Sequence, residues 1–265
     1  RRSERVIANS RASAMTLYLR YGIPEEKIQV IHNAVPSLPD TDVRSLKANL
    51  GKGKRIVGSV GRLDTAKYFS ALVQAATLVL NRRPDVIFVL VGGGPLEGFL
   101  RKKVSDLGME ENFVLTGWRE DARSLVQTFD IFVSSSIRES FGNVLVEASL
   151  AGKPVIAPRI DGISEAVVDG VTGILLDPTE PVSTYSDQSS PIPKRVLIDG
   201  ELRSPRSVNP QRIADSILSL LDQPDLCDMY GQAGQRRALE LFSIDRYVRD
   251  LEATYVEVAR RQEVQ

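Results

Sequence analysis

Short apolar, β-branched runs recur along the chain, and most are followed by residues with helical spacing. "RVIANS" (5–10) predicts a strand and "RASAMTLYLRYG" (11–22) a helix, with Ser10 placed to cap its start and Gly22 its end. "KIQVIHNAV" (27–35) predicts a second strand, and "PSLPDTD" reads as a linker. The rhythm then strengthens. Strands are expected at 55–61, 86–92, 112–117, 131–136, 154–158 and 173–177, and helices at 67–82, 95–107, 121–129 and 143–151. Continuously apolar strands alternating with helices imply a parallel sheet covered on both faces. The fold class is therefore α/β: a doubly wound parallel sheet followed by C-terminal helices. Ligands of such a sheet lie outside the carboxyl ends of its strands. Here those ends are Gly61-Arg62, the glycines 92–94, Gly117-Trp118, Ser134–Arg138 and Pro158–Gly162.

Residues 178–207 change character. The first half is polar and proline-rich, as in an exposed loop, and "RVLIDGELR" predicts a hairpin turning at Asp199-Gly200. From 208 onward three helices are expected: one with Pro210 in its first turn, one over 225–241, and an amphipathic one over 243–261. No internal repeat is visible.

Composition narrows the partners. Lys plus Arg and Asp plus Glu both number 34 in the 265 residues, so the formal net charge is zero. A neutral chain has no global attraction for nucleic acid, and any anion site must be local. The single cysteine, Cys227, rules out an internal disulfide and fits a reducing, cytoplasmic setting. One Cys and one His, His32, give no usual zinc cluster, and no metal site is expected. No apolar stretch approaches the roughly 18 residues of a membrane span.

Candidate chemistry sits at the strand ends. In "GSVGRLDTAK" (58–67), Gly61 permits a tight turn, and Arg62 and Lys67 lie beside a helix start, a setting suited to phosphate. Read alone, they are more readily explained as two solvated surface cations. "VGGGPLEG" (91–98) has neither dinucleotide-fingerprint nor P-loop spacing and is as well explained by a tight turn. "SSSIRESFGNVLVE" ends a strand, and Gly142-Asn143 opens a helix whose first N–H groups suit a phosphate. Glu139 and Glu147 flank that opening. A carboxylate suits vicinal hydroxyls, but by spacing alone a helix-start glutamate favoured by the dipole and a solvated helix glutamate explain the pair better. Gly162 and Glu165 open a further helix, and Gly170 and Gly173 bound a turn. His32 has no partner nearby in sequence and reads as structural.

Taken together, "GSVGRLDTAK", "VLVGGGPL", "FVLTGW", "ESFGNVLVEASLAGKPVIA", "DGISEAVVDGVTGILL" and "FSIDRYVRDLEATY" resemble, in order and over essentially the whole chain, family 4 of the retaining glycosyltransferases. The most specific part is E-x7-E, Glu139 through Glu147. The resemblance implies a GT-B fold, two Rossmann-like domains around a cleft, with this chain the donor-binding half. It divides the chain into 1–38, the end of the N-terminal domain plus a linker; 39–241, the nucleotide-sugar-binding domain with the 178–207 insertion; and 242–265, a helix crossing back. It implies that Arg62 and Lys67 bind the donor diphosphate, Glu139 the transferred sugar and Glu147 the ribose. Catalytic roles then fall to Glu139, Arg62 and Lys67. Gly61 and the backbone of Phe141, Gly142, Asn143 and Val144 join the donor site, and Gly93, Gly94, Trp118 and Arg119 flank the base.

The donor implied is a nucleotide-diphosphate sugar, UDP-sugars among them, with no cofactor and no metal required. The acceptor, a glycan, lipid or small molecule, is expected to bind through an N-terminal domain of roughly 150–200 residues. The family's usual histidine belongs to that domain, and nothing moves its role to His32. The chain alone is expected to bind donor without transferring sugar. The full-length protein is expected in the cytoplasm, free or peripheral on a membrane. Two departures stand out. The family's Glu-Lys-Gly is Ala66-Lys67-Tyr68 here, a tyrosine replacing the glycine, and the 178–207 segment is longer than usual. They keep open a second reading, a non-catalytic nucleotide-sugar-binding or scaffold domain. A dehydrogenase-like dinucleotide binder is disfavoured by the glycine spacing.

Overall fold

A computed structural model describes residues 3–51, 53–182 and 191–263, with side chains through 260. Residues 183–190 of the proline-rich loop lie outside the described residues. The chain begins with β1 (Val6–Ala8), α1 (Arg11–Tyr21), a 3-10 turn at Glu25–Lys27 and β2 (Ile28–Val30). β1 and β2 form a two-stranded parallel sheet of their own. The Ser10 hydroxyl accepts from Ser13 N at 2.9 Å, and Gly22 closes α1 in the left-handed conformation. β2 is shorter than the apolar run predicted. Its partner stops at Ala8, whose carbonyl accepts from Ile31 N at 2.9 Å; the chain then leaves the pair, and Val35 N donates to Phe242 O at 2.9 Å.

The main body follows: α2 (Val43–Gly51), β3 (Arg55–Val60), α3 (Phe69–Leu80), β4 (Val86–Val91), α4 (Glu97–Asp106), β5 (Phe113–Gly117), α5 (Ala122–Val126), β6 (Ile131–Val133), α6 (Asn143–Leu150), β7 (Val155–Pro158), α7 (Ile163–Ala166) and β8 (Gly173–Leu176). Its six strands are all parallel, in the order β5-β4-β3-β6-β7-β8. The doubly wound sheet is therefore as expected, whereas α2 falls where a linker led on without a recognised helix.

Both faces of the sheet are covered. Val86, Phe88 and Leu90 of β4 join a cluster with α3 and with Ile213 and Ile217 of a later helix, while Ile87, Val89 and Val91 join one with α5 and α6. Every residue of β4 is buried, which is why its sequence is apolar without alternation. Each such side chain stabilises the fold by about 1.5–3 kcal/mol.

The described parts of the insertion carry short strands. β9 (Glu180–Pro181) pairs with β12 (Arg206–Ser207) and closes its base, while β10 (Val196–Ile198) and β11 (Glu201–Arg203) form the expected hairpin. Asp199 and Gly200, at φ 51° and 79°, make the turn. Three helices complete the chain: α8 (Pro210–Leu221), α9 (Pro224–Leu241) and α10 (Ile244–Glu263). α10 returns to the first strands. Arg246 Nη2 donates to His32 O at 2.7 Å, and Arg5 pairs with Glu257. No helix among the described residues is long and apolar enough to cross a membrane.

Candidate donor site at the switch point

From β3 the chain winds outward through β4 and β5, then crosses back to β6 on the other side of β3. The loops leaving β3 and β6 therefore diverge, and the crevice between them is where a doubly wound sheet binds ligands.

The β3 loop is held from beneath. Gly61 N donates to Val91 O at 3.0 Å and Leu63 N to Gly93 O at 2.9 Å. This packing explains the glycine cluster after β4. A Cβ on Gly92, at φ 144°, would stand 1.9 Å from Gly61 O, and one on Gly94 2.6 Å from Leu63 O. Gly92 and Gly94 thus let the two loops touch, while Gly93 lies against Trp118. The buried Asp64 carboxylate organises the loop, accepting from Lys67 N at 3.1 Å and Arg62 Nε at 2.6 Å. Tyr68, which replaces the family's glycine, takes φ 48° and ψ 42° and so keeps the left-handed backbone a glycine would favour. Its ring is buried in the cluster with α3.

The β6 loop completes the crevice. Ser135 Oγ donates to Lys67 O at 3.0 Å and Ile137 N to Ala66 O at 2.8 Å. Lys67 Nζ then meets the Glu139 carboxylate in an ion pair across the switch point. Arg62 does not join them. Its side chain is 75 % exposed and turned to Asp64. Glu139 is fixed through its backbone: its N–H donates to Asp161 Oδ2 at 2.9 Å, and its carbonyl accepts from Gly162 N at 3.2 Å. Asp161 Oδ1 also accepts from Leu197 N at 2.7 Å, which ties the insertion hairpin to the same point. Burial pushes the Asp161 carboxyl above its usual range, opposed by these two N–H groups and by Arg138.

Gly142, at φ 93°, turns the chain into α6, and no side chain caps that helix. Its first N–H groups are thus presented to an anion at the crevice. Phe141 is 1 % exposed, with its ring centroid 5.5 Å from His32 and 5.2 Å from Phe242, so its side chain anchors the loop in the core. Asn143 Oδ1 accepts from Asn33 Nδ2 at 2.9 Å, and Val144 is half-buried. Glu147, one turn on, has a side chain 16 % exposed and lies 3.6 Å from Arg123 Nε. Burial raises its pKa, and Arg123 offsets this only in part.

Residues 41–188 match the family described as Glycosyl transferases group 1. The chain belongs to the group 1 glycosyltransferases. The D-inositol 3-phosphate glycosyltransferase of Nocardia farcinica is 33 % identical over 188 residues, covering 66 % of this chain and 42 % of that protein. The lipopolysaccharide core biosynthesis glycosyltransferase LpsE of Rhizobium meliloti is 31 % identical over 153 residues, covering 58 % and 44 %. The chain thus spans less than half the length of these relatives. Anabaena HepE, solved with UDP and glucose, superposes with a TM-score of 0.79 at 25 % identity, covering 96 % of this chain and 64 % of that one. The C-terminal domain of a group 1 glycosyltransferase, LpcC of Francisella tularensis, gives 0.61 at 23 % identity, covering 78 % and 96 %. The fold is that of the C-terminal, Rossmann-like domain of a GT-B glycosyltransferase.

The remaining predicted residues lie apart from this group 1 crevice's ion pair. Trp118 is 76 % exposed beside Gly93, and Arg119 pairs with Asp121 at 2.7 Å. Among the described residues no cluster of His, Cys, Asp or Glu is arranged to hold a metal. Asp64, Arg123 and Asp161 were not foreseen as partners of the site. Asp161 stood at a strand end in the sequence, but nothing there showed that its carboxylate points at Glu139 N. His32 has a partner after all: Nε2 lies 2.7 Å from Glu165 Oε2, which also accepts from Arg11 N, while Glu165 Oε1 accepts from Ala12 N. It is a clamp between the first unit and α7, consistent with a structural role.

Proposed function

We propose that the β3/β6 crevice binds the donor of a retaining glycosyltransferase, a nucleotide-diphosphate sugar. The observation that carries this reading is the Lys67–Glu139 ion pair beside the uncapped start of α6. It sets a cation, a carboxylate and free backbone N–H groups around one space. Lys67, Arg62 and the N–H groups of Asn143 and Val144 face the diphosphate; Glu139 meets the sugar, and Glu147 the ribose hydroxyls. HepE, solved with UDP and glucose, favours UDP as the nucleotide.

The charges match the bond being broken. As the anomeric C–O bond lengthens, its electron pair passes to the diphosphate oxygen and positive charge grows on the sugar. Lys67, Arg62 and the α6 N-terminus stabilise the leaving diphosphate. Glu139 stabilises or positions the cationic sugar while the acceptor hydroxyl attacks from the same face, its proton passing to the leaving oxygen. Without donor, Lys67 and Glu139 neutralise each other. Donor binding draws Lys67 to the diphosphate and frees Glu139. One preorganised contact of this kind is worth about 10²–10³ in rate.

The division of the chain at 38 and 241 belongs to the same reading. It is supported by the separate β1–β2 sheet and by the return of α10 to it. Donor binding is assigned to this chain, and sugar transfer to a protein of its relatives' length. Titrating UDP-, GDP- and ADP-sugars into the chain by calorimetry tests the proposal. Saturable binding of one of them, weakened by Lys67→Ala, is expected. No binding of any, or binding indifferent to Lys67, refutes it.

A further inference from the structure

A second cavity lies where the β1–α1–β2 unit meets α7, α9 and α10. It encloses about 430 Å³, within the range of small-ligand sites. Its walls carry three guanidinium groups, Arg11, Arg237 and Arg246, against two carboxylates, Glu165 and Asp250. Both carboxylates are already engaged. Glu165 takes the N–H groups of Arg11 and Ala12 at 2.8 and 3.0 Å and faces His32 Nε2 at 2.7 Å. Asp250 accepts from Arg246 Nη1 at 3.0 Å.

The guanidinium groups are less well satisfied. Arg246 spends its second terminal nitrogen on the carbonyl of His32. Arg237 donates Nη2 to the carbonyl of Glu165 at 2.9 Å and lies over the Phe242 ring, 5.9 Å from its centroid, with no ion pair among the described residues. The Nε atoms of Arg237 and Arg246 are buried without an acceptor. Burial lowers the Arg237 pKa, with Glu240 alone opposing it. The Arg11 guanidinium makes no hydrogen bond or ion pair among the described residues. Arg237 is the half-buried cation of the three without an ion pair among the described residues, and a multidentate anion relieves the cost of that burial.

We propose that this cavity binds a small soluble phosphate monoester, its phosphoryl oxygens held by Arg11 and Arg237 with the Ser164 hydroxyl beside them. Arg11 lies on α1 and Arg237 on α9, so the bound ligand braces the first unit against the body of the chain. The site is separate from the crevice and does not depend on the donor reading.

The test is an amide-resolved NMR titration with glycerol 3-phosphate, using sulfate as the control anion. The chain carries Arg62→Ala so that the crevice contributes less. Saturable shifts confined to Arg11, Ser164, Arg237 and Arg246 are expected, with sulfate weaker. Arg237→Gln and Arg11→Gln should each weaken binding at least tenfold, roughly the least a charge-assisted contact supplies. Arg11 is exposed and its guanidinium has no partner among the described residues, so Arg11→Gln keeps the test meaningful if Arg237→Gln unfolds. Non-saturating shifts, equal affinity for sulfate, or binding unchanged by Arg11→Gln overturns the proposal.

Discussion

Replacing Asp161 with alanine should damage both the fold and the donor crevice, although Asp161 has no proposed contact with the donor. Its carboxylate holds Glu139 N at 2.9 Å and Leu197 N at 2.7 Å. Hydrogen bonds to a charged group contribute about 1.5–3 kcal/mol each, and an orphaned buried N–H costs about 1–3 kcal/mol. Alanine at φ 42° adds about 1 kcal/mol of left-handed strain. Against this, the buried carboxylate no longer has to be kept ionised at neutral pH, as its raised pKa shows. The balance is a loss of about 2–4 kcal/mol, which lowers Tm by roughly 5–12 °C in a domain of this size. Asp161→Asn tolerates the left-handed backbone and keeps one carbonyl oxygen, so it should lose about half as much. The assay is thermal unfolding at neutral pH, paired with calorimetric titration of the donor. Donor affinity should fall in both variants, because the Glu139 backbone is released. An alanine variant within about 0.5 kcal/mol of wild type, with donor affinity intact, would show that Asp161 holds nothing in place.

Four further substitutions test other parts of the account. Lys67→Ala should reduce diphosphate affinity more than Arg62→Ala, because Arg62 is 75 % exposed and committed to Asp64; calorimetry with UDP ranks the two, and the reverse order contradicts the assignment. Glu147→Gln should weaken nucleotide binding about 10–100-fold by removing a charged acceptor, yet stabilise the unliganded chain at neutral pH. The sign follows from burial raising the Glu147 pKa. A group shifted upward contributes stability below its unfolded value, near 4.3, and loses it as pH rises through the folded value. The two unfolding curves should therefore converge in acid and separate toward neutrality. Tyr68→Gly should relieve about 1 kcal/mol of backbone strain but lose a buried ring worth about 3–5 kcal/mol, a net destabilisation of about 2–4 kcal/mol readable by urea unfolding.

The sheet was legible because its strands are buried on both faces and so are written as continuous apolar runs; β4 is the clearest case. Glu139 and Glu147 were legible as a spacing, and Gly142 as a helix opening. What escaped were the pairings that a linear pattern does not encode. Lys67 meets Glu139 across 72 residues, Asp161 meets Glu139 across 22, and His32 meets Glu165 across 133. α2 escaped although Val43, Leu46 and Leu50 fall at helical spacing, because it is short and directly follows a proline-rich stretch that reads as a linker. β9 and β12, at two residues each, are too short for any period to show. Tyr68 shows the opposite case: a residue that argued against the family's loop adopts the backbone of the glycine it replaces.

The central claim is that the diphosphate of the donor sits at the switch point, between Lys67 and the start of α6. A crystal structure of the chain with UDP tests it most directly. The account predicts the diphosphate against Asn143 N, Val144 N and Lys67 Nζ, the ribose hydroxyls on Glu147, and the Lys67–Glu139 pair opened. UDP bound elsewhere, or bound with that pair intact and α6 untouched, contradicts it.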